Sequence, residues 1–421
     1  MKKRALFGVF ATFCAAACLV CGCGGDADSI LVLNGGTDKT EKTYLSVFGN
    51  RADKFSLSVI EDTLQGFMSE NSVFATYESA PERNYWKALD KRYETDNLDD
   101  IFTIEHDRLL SMSKGGALAD LSDIVSGKKF NYFAENQLYG ADGKIYAVPT
   151  SVSTFGLFVN YDLQRDPPRN LSEFAEACNS FVRRGITPII CNNSTSLRSL
   201  ILAKGMYETY CSADTASEIE KFNAEPVLLS AKLNEGIDFV YEMIENKWID
   251  IEKTALNGLA SGESELFKEG KQPFMISLGW TSDLLKEAGG TDFKYGIYAY
   301  PVLDEDRVLV ARADLVSVKK GENEAEAKKL LSIMTGNGTL SALNEYQSRF
   351  SPLEDISGAS SELIPSAPYL TKGKCVISGD CNLQVPLDGY LTECTAMILE
   401  GASANAVKAH LYDLLSGEVG R

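Results

Sequence analysis

A tryptophan at the end of an apolar run is the first residue in this chain whose chemistry suggests a ligand. Residues 273–278 predict a short buried strand, which follows a helix that ends at Gly270. The strand stops at Gly279 and Trp280, where the glycine frees the backbone and the indole offers a flat aromatic face. Trp280 therefore suits a ligand that stacks, although the same pattern is equally compatible with a tryptophan in the core.

A second group is a run of four ionisable residues, Glu105, His106, Asp107 and Arg108. Carboxylates accept hydrogen bonds from hydroxyl groups, and an arginine donates hydrogen bonds or holds a carboxylate in place. The structural alternative is that the run begins a helix, with Asp107 as the residue that caps it. We predict all four as ligand contacts.

The elements before this run explain how it would be positioned. Strand patterns fall at 43–50, 73–78 and 98–104, with helical patterns between them at 56–70 and 84–93. This alternation predicts a parallel sheet with helices on its faces. Ligands of such sheets bind at the carboxyl ends of the strands, where Asn50, Glu78 and Glu105 lie. These three side chains are therefore candidate contacts.

The rest of the chain predicts further strands and helices without internal repeats. Two apolar runs meet at Pro149, where the chain is expected to change direction. Another buried strand ends at Asn192, whose amide is a further candidate contact. The later patterns are a mostly helical block at 195–260, strands at 295–301 and 309–318, and helices at 323–335, 339–346 and 402–415.

Length and composition define the class of protein. A chain of 421 residues is too long for one ordinary core, so two domains are expected. The hydrophobic content of 44% and the charged content of 24% are typical of a soluble globular protein. The formal net charge of -18 argues against binding to nucleic acid or to an anionic membrane surface through charge.

The N-terminus predicts an exported protein with a lipid anchor. A positive start is followed by residues 5–20 without charge, typical of a secretory signal peptide and too short for a membrane-spanning helix. The sequence LVCGC at 19–23 resembles the lipobox of bacterial lipoproteins. This resemblance implies a signal peptide of residues 1–22, a lipid on Cys23 and a tether at 23–42, with Cys18 and Cys21 as alternative lipid sites. Two or more acyl chains are enough for stable anchoring at the extracytoplasmic face of the cell membrane.

Six cysteines would remain after export and lipidation. An even number permits disulfides, and Cys375 and Cys381 could close a small loop, but free buried thiols are equally compatible. None of the six has the spacing of a metal site, so neither a metal nor another cofactor is expected. The six are Cys178, Cys191, Cys211, Cys375, Cys381 and Cys394.

Five further segments occur in the order known from one protein family. They are DIFT at 100–103, GGALADL at 115–121, DGKIYAVP at 142–149, GLFVNYDL at 156–163 and FKEGKQPFMISLGW at 267–280. Together with the lipobox they resemble family 1 of the extracellular solute-binding proteins of ABC transporters, the group that includes maltose-binding protein. The resemblance covers essentially the whole mature chain.

The resemblance implies an α/β fold of two lobes, each a mainly parallel sheet flanked by helices, with three hinge crossings. We place the crossings near Pro149, Pro301 and Gly336. The first lobe then comprises residues 43–149 and 302–335, and the second lobe residues 150–301 and 336–421. A ligand would bind in the cleft, and hinge closure would present a shape that the transporter recognises.

The resemblance also implies roles for single residues. The run at 105–108 falls where maltose-binding members contact sugar hydroxyls, and Trp280 matches a stacking tryptophan. Tyr390 falls near a second aromatic position, and Asn50 matches the end of the first strand. Ser153 replaces an acidic residue and Ile104 a tryptophan, so this cleft need not accept the same sugar.

The implied function is the capture of a carbohydrate, an oligosaccharide, by a monomeric binding protein that delivers it to ABC permease subunits. The alternative is a polyamine or another small cation, because carboxylates around aromatic rings also fit a cationic ligand. A scaffold lipoprotein without a small ligand is a further alternative. An enzyme, including one acting on glycans, is not expected, because the chain lacks the Gly-x-Ser-x-Gly, His-Glu-x-x-His and phosphate-loop motifs.

Overall fold

The structure is a computed structural model that describes residues 29–31, 43–191, 193–256, 262–354 and 359–418. The predicted signal peptide, the lipid site Cys23, most of the tether and the candidate contact Asn192 lie outside the described residues.

Ten strands lie within the described residues. They are β1 (Ser29–Leu31), β2 (Thr43–Gly49), β3 (Val73–Ser79), β4 (Ile101–Ile104), β5 (Val148–Asn160), β6 (Ile189–Cys191), β7 (Phe274–Leu278), β8 (Tyr295–Tyr298), β9 (Leu309–Val318) and β10 (Cys375–Ile377).

Sixteen α-helices lie within the same residues, with short 3-10 helices at Pro226–Leu228 and Ile364–Tyr369. They are α1 (Lys54–Glu70), α2 (Glu82–Glu94), α3 (His106–Lys114), α4 (Ser122–Val125), α5 (Tyr132–Glu135), α6 (Leu171–Arg183), α7 (Asn193–Cys211), α8 (Thr215–Ala224), α9 (Leu229–Glu245), α10 (Ile251–Leu256), α11 (Gly262–Lys268), α12 (Thr281–Glu287), α13 (Glu324–Met334), α14 (Asn337–Tyr346), α15 (Leu387–Leu399) and α16 (Ala404–Ser416).

The described strands form one continuous sheet in the order β1-β3-β2-β4-β9-β5-β7-β6, with β10 beside β9 and β8 beside β5. Strand β2 pairs in parallel with β3 and with β4. The predicted parallel sheet of the first part of the chain is therefore confirmed. In the second part, β6 and β7 are parallel, whereas β7 and β8 each pair antiparallel with β5.

Two long strands join the two parts of the sheet. Strand β9 pairs with β10 through residues 309–311 and with β4 through residues 315–318. Strand β5 pairs with β9 near its start and with β7 and β8 near its end. The expected change of direction at Pro149 is replaced by one continuous strand, whose register shifts between Pro149 and Ser151. This irregularity accommodates a residue that cannot donate a ladder hydrogen bond.

The helices pack in two groups around this sheet. Helix α14 packs on α1 and α13, near β2 and β3. Helices α7, α9, α15 and α16 form the second group. Within the described residues, no helix is both long enough and apolar enough to span a bilayer.

In the described part of the structure, none of the six cysteines expected in the mature chain forms a disulfide. Cys375 and Cys381 are both buried and do not form the disulfide that their spacing permits. Burial raises the pKa of both thiols, and it raises the pKa of Cys394 to about 11.

Candidate functional site

A largely buried carboxylate, Asp314, whose side chain is 17% exposed, marks the junction where β5 and β9 run side by side. Asp314 accepts hydrogen bonds from the hydroxyls of Ser151 and Ser153, the latter at 3.0 Å. The Nε atom of Arg349 lies 3.2 Å from the same carboxylate, and the Nη2 atom of Arg51 lies 3.7 Å away. Burial alone would raise the pKa of Asp314, but the neighbouring arginines hold it below its ordinary value. Asp314 therefore remains charged.

Arg51 ties the end of β2 to this junction. Its guanidinium donates to Gln347 Oε1 at 2.9 Å, to Ser151 Oγ at 2.7 Å and to Thr150 Oγ1 at 3.2 Å. Burial and the nearby Arg349 lower the pKa of Arg51. The predicted contact Asn50 precedes Arg51 and lines the same cavity as Thr150 and Asp314. The end of the first strand thus reaches the junction, while a ligand contact at Asn50 stays a prediction.

Trp280 lies on the other side of the same cluster. Strand β7 is wholly buried, whereas Trp280, just before α12, is only partly buried. The Arg349 guanidinium lies 5.8 Å from the centre of the indole ring. Asp283, in the first turn of α12, accepts the backbone N–H of Ser348 at 2.9 Å. Trp280 is therefore at the edge of the core, with part of its surface exposed beside charged groups.

The run at 105–108 lies at the start of α3, and two of its residues, Glu105 and Arg108, form an ion pair. Arg108 donates to both carboxylate oxygens of Asp90, at 2.6 and 2.7 Å, and pairs with Glu105. Its guanidinium lies 5.0 Å from the ring centre of Trp86. Burial raises the pKa of Glu105 to about 7, although Arg108 and Arg312 oppose this shift. Arg108 thus faces α2 and holds Glu105 in place.

The other two members connect α3 to α15. The Nδ1 atom of His106 lies 3.0 Å from Asp107 Oδ1. Asp107 Oδ2 accepts the backbone N–H of Gly389, in the first turn of α15, at 2.9 Å. Helix α3 itself receives no side-chain cap from Glu105, the residue that precedes it. Asp107 therefore does not cap its own helix as the structural alternative predicted, but caps α15, a helix distant in sequence.

Two residues predicted to contact the ligand, Glu78 and Tyr390, instead contact other side chains of the protein. Glu78 pairs with Arg92 at 2.5 Å, and the Arg92 guanidinium lies 3.7 Å from the ring centre of Phe48. The Tyr390 hydroxyl donates to Glu418 near the end of the chain. Of the predicted residues, the structure thus brings Asn50, Ser153 and Trp280 to the Asp314 junction. It brings His106 and Asp107 to α15, while Glu105 and Arg108 pair with each other beside α3.

Two charged residues of β9, Arg312 and Asp314, connect these groups and were not predicted as site residues. They are the two charged residues of a mostly apolar strand, which is the signal that could have identified them, because charges in a largely buried strand require partners. The charge of Arg312 acts on both Glu105 and Asp314. The other residues that the sequence analysis missed are Arg51, Arg198, Arg349 and Asp388.

Each of these carboxylates lies beside at least one guanidinium group. Arg198 on α7 lies 3.9 Å from Asp388 of α15, and both Arg51 and Arg349 flank Asp314. Across the described residues, no group of three or more potential metal ligands occurs. Paired carboxylates and guanidinium groups offer both acceptors and donors of hydrogen bonds. Such an environment suits a neutral ligand rich in hydroxyl groups.

Comparisons with known proteins identify the family of the chain. The profile of the family described as bacterial extracellular solute-binding protein matches residues 64–369. A maltooligosaccharide ABC transporter solute-binding lipoprotein of Streptococcus pneumoniae serotype 4 is 21% identical over 319 residues, which span 74% of this chain and 70% of the relative.

Two solved structures show the same fold. The maltose/maltodextrin-binding domain MalE from Bdellovibrio bacteriovorus, bound to maltotriose, has a TM-score of 0.69 at 16% identity and covers 90% of this chain and 100% of that chain. A chitin oligosaccharide binding protein has a TM-score of 0.75 at 14% identity and covers 91% of this chain and 100% of that chain. The predicted two-lobed α/β fold is confirmed.

Proposed function

The chain belongs to the family of bacterial extracellular solute-binding proteins, and we propose that it captures an oligosaccharide for an ABC importer. The ligand would bind in the cleft between the lobes and pass to permease subunits when the closed protein docks. The similar proteins support this ligand class, since they include a maltooligosaccharide ABC transporter solute-binding lipoprotein, a MalE domain bound to maltotriose and a chitin oligosaccharide binding protein.

The observation that supports this function most directly is the partly exposed Trp280 beside a junction of paired carboxylates and guanidinium groups. Sugars present apolar C–H faces that pack on aromatic rings, and hydroxyls that need paired donors and acceptors. Trp280 offers the ring and Arg349 lies beside it, while Asp283 and Asp314 each contact Arg349 and add acceptors to the same cluster. A polyamine fits less well, because arginines already neutralise the carboxylate of Asp314.

The lobes are proposed to meet along β5 and β9. Strand β9 changes its pairing partner from β10 to β4 across residues 312–314, which favours a crossing there and not near Pro301. The packing of α14 on α1 and α13 favours a third crossing after residue 346 and not near Gly336. With these changes, the junction around Asp314 lies at the hinge, where closure would bring both lobes onto a ligand.

The proposed location is the extracytoplasmic face of the cell membrane, with the lipid on Cys23 as the anchor. Family membership supports export, and the lipoprotein name of the pneumococcal relative supports the anchor. Metabolic labelling with a radioactive fatty acid checks this proposal. The native chain should incorporate the label, and Cys23→Ser should abolish incorporation. Labelling that persists in Cys23→Ser would show that the lipid is attached to Cys18 or Cys21.

Isothermal titration calorimetry of the soluble form from residue 24 tests the ligand class. Maltotriose, raffinose and a chitin trisaccharide represent oligosaccharides, and spermidine represents cations. Measurable binding of at least one sugar is expected. Binding of spermidine with no response to any sugar would overturn the proposed ligand class.

Substitution at Trp280 tests the site with the sugar that binds. Trp280→Ala should weaken affinity about tenfold, since an aromatic stacking contact is worth about 0.5–1.5 kcal/mol, while Trp280→Phe should retain most of it. Trp248 is a matched control, because its ring is 1% exposed and its Nε1–H donates to Asn179 at 2.8 Å. Trp248→Phe should lower stability without a specific loss of affinity. Equal affinity in Trp280→Ala and the native protein would show that Trp280 does not contact the sugar.

A further inference from the structure

His106 is buried between two parts of the fold and has one ring nitrogen without a partner. Its side chain is 5% exposed. The Nδ1 atom faces Asp107, whereas Nε2 makes no hydrogen bond within the described residues. A buried polar atom left unpaired costs about 1–3 kcal/mol, so the environment of Nε2 calls for an explanation.

The Nε2 atom belongs to a ring that lines a small cavity with both apolar and polar walls. The cavity has a volume of about 20 Å³, and its lining includes His106, Tyr210, Asp380 and Asp388. Asp380 Oδ1 accepts two hydrogen bonds from Asn382, at 2.8 and 2.9 Å, whereas the buried Oδ2 has no partner with hydrogen-bond geometry in the described structure, although the Tyr210 hydroxyl lies near the carboxylate. A volume of this size accommodates one water molecule. Two unpaired polar atoms, one a donor when protonated and the other an acceptor, thus belong to residues that line one cavity.

The loop that supplies Asp380 approaches His106 closely. Gly379 has a φ of +84°, and a Cβ atom at this position would lie 2.9 Å from the Cβ of His106. This loop follows β10, which pairs with the early residues of β9 and packs against α7. His106 belongs to α3, which follows β4 on the other part of the sheet. The contact therefore joins the two halves of the molecule.

We propose that His106 is the positioning residue of a proton-dependent latch that holds the two lobes together. In the closed form, the imidazolium donates Nδ1–H to Asp107, which caps α15, and donates Nε2–H through one water molecule to Asp380. A neutral imidazole has only one N–H and serves only one of these carboxylates, so both contacts require the added proton. Opening of the cleft separates α3 from α15 and from the Asp380 loop, and the proton is released.

The charged groups around the ring favour its protonated form. On its own helix the ring has Asp107, with the pair of Glu105 and Arg108 beside it. From α15 it faces Asp388, which Arg198 of α7 approaches to 3.9 Å. From the loop after β10 it faces Asp380, beside which the Tyr210 hydroxyl lies. Burial alone would lower the pKa of His106, but Asp107, Asp388 and Asp380 together raise it.

The sign of the pH dependence follows from this arrangement. A group whose pKa is raised in the closed form contributes its full stabilisation below its ordinary pKa and loses it as pH rises through the raised value. The latch should therefore hold more firmly at pH 6 than at pH 8. Glu105 titrates in the same range, so a variant of His106 itself is needed to isolate the latch.

The chain contains two histidines, so imidazole NMR of ¹⁵N-histidine-labelled protein resolves each one. His410 is the internal reference, because it is partly exposed and faces Glu393 at 3.0 Å. We expect His106 to titrate above the ordinary pKa of histidine. We also expect Asp380→Asn to move the His106 midpoint to a lower pH. A midpoint of His106 at or below the ordinary value, or one unchanged in Asp380→Asn, would overturn the latch.

Small-angle X-ray scattering without any sugar measures closure directly. The radius of gyration should be smaller at pH 6 than at pH 8 for the native protein and for His410→Gln, and should not change with pH for His106→Gln. A native-like response in His106→Gln would contradict the proposal. If His106→Gln does not fold, Asp380→Asn decides the matter, since it should weaken the pH response. Because no ligand is present, these outcomes are independent of the proposed sugar function.

Discussion

Asp107 accepts a hydrogen bond from the backbone N–H of Gly389 at 2.9 Å, although the two residues are 282 positions apart in the chain. Helix α15 follows Pro386 and receives no side-chain cap from that residue. The carboxylate of Asp107 supplies the missing acceptor, while its other oxygen faces His106. A sugar hydroxyl that reached Asp107 would therefore share or displace the contact with α15, which couples ligand binding to the attachment of this helix.

Removal of this carboxylate should cost both stability and affinity. Asp107→Ala leaves the N-terminus of α15 without its acceptor, which should lower the free energy of unfolding by about 1 kcal/mol in urea titrations. Asp53→Ala is the matched control, because Asp53 caps α1 by accepting the backbone N–H of Ser56 at 2.7 Å. It should lower stability by a similar amount and leave sugar affinity unchanged. Equal affinities for the two variants would show that Asp107 is only a cap.

Glu105 should make stability depend on pH near neutrality. Its pKa is raised by burial to about 7 from an ordinary value of 4.5, so folding favours the protonated carboxyl. The resulting stabilisation is complete below pH 4.5 and is lost as pH rises through about 7. In Glu105→Gln, the fall in unfolding free energy from pH 5 to pH 8 should therefore be smaller than in the native protein. Urea titrations at both pH values measure this difference, and an unchanged slope would show that Glu105 is ionised throughout.

Elements with strong periodicity were predicted well from the sequence. Strands β2 and β3 and helix α1 have clear apolar spacing, and the structure places each within a few residues of the predicted bounds. Helix α15 and strand β10 were missed. The helix follows a proline and has mixed spacing, and the strand has only three residues, so its pairing with β9 comes from tertiary contacts.

The candidate site was predicted less completely, because its charges are paired by residues distant in sequence. Glu78 occupies the predicted strand end, yet the nearby Arg92 holds it at 2.5 Å. Ser153 does reach the junction, but its partner Asp314 lies on a strand, 309–318, that was predicted without any role for its charged residues. The predicted ends of strands indicate which residues could lie at a binding site. The partner of each charged residue depends on which strands become neighbours in the sheet, and the sequence does not show this directly.

The cysteines should behave as free thiols in solution. After denaturation of the soluble form from residue 24, Ellman's reagent should titrate six thiols, the number that the structure describes. In the native protein the reaction should be slow, because five of the six are buried, and Cys211 should react first. Addition of a reducing agent should leave the melting temperature unchanged. Four titrated thiols, with a melting temperature lowered by the reductant, would instead show a disulfide.

Asp314 should contribute more stability than any exposed carboxylate, because its removal leaves buried cations without their partner. In Asp314→Asn, Arg51 and Arg349 lose the charge that neutralises both, and the expected loss of unfolding free energy is about 3–5 kcal/mol. The matched control is Glu269→Gln, since Glu269 pairs with Lys271 at 2.8 Å on the exposed surface and should change stability by less than about 1 kcal/mol. The pKa of Asp314 is lowered by the arginines, so its contribution is present above pH 3.8 and is lost at lower pH. Urea titrations at pH 7 measure both variants, and a loss in Asp314→Asn no larger than that in the control would contradict an obligatory charge at the junction of β5 and β9.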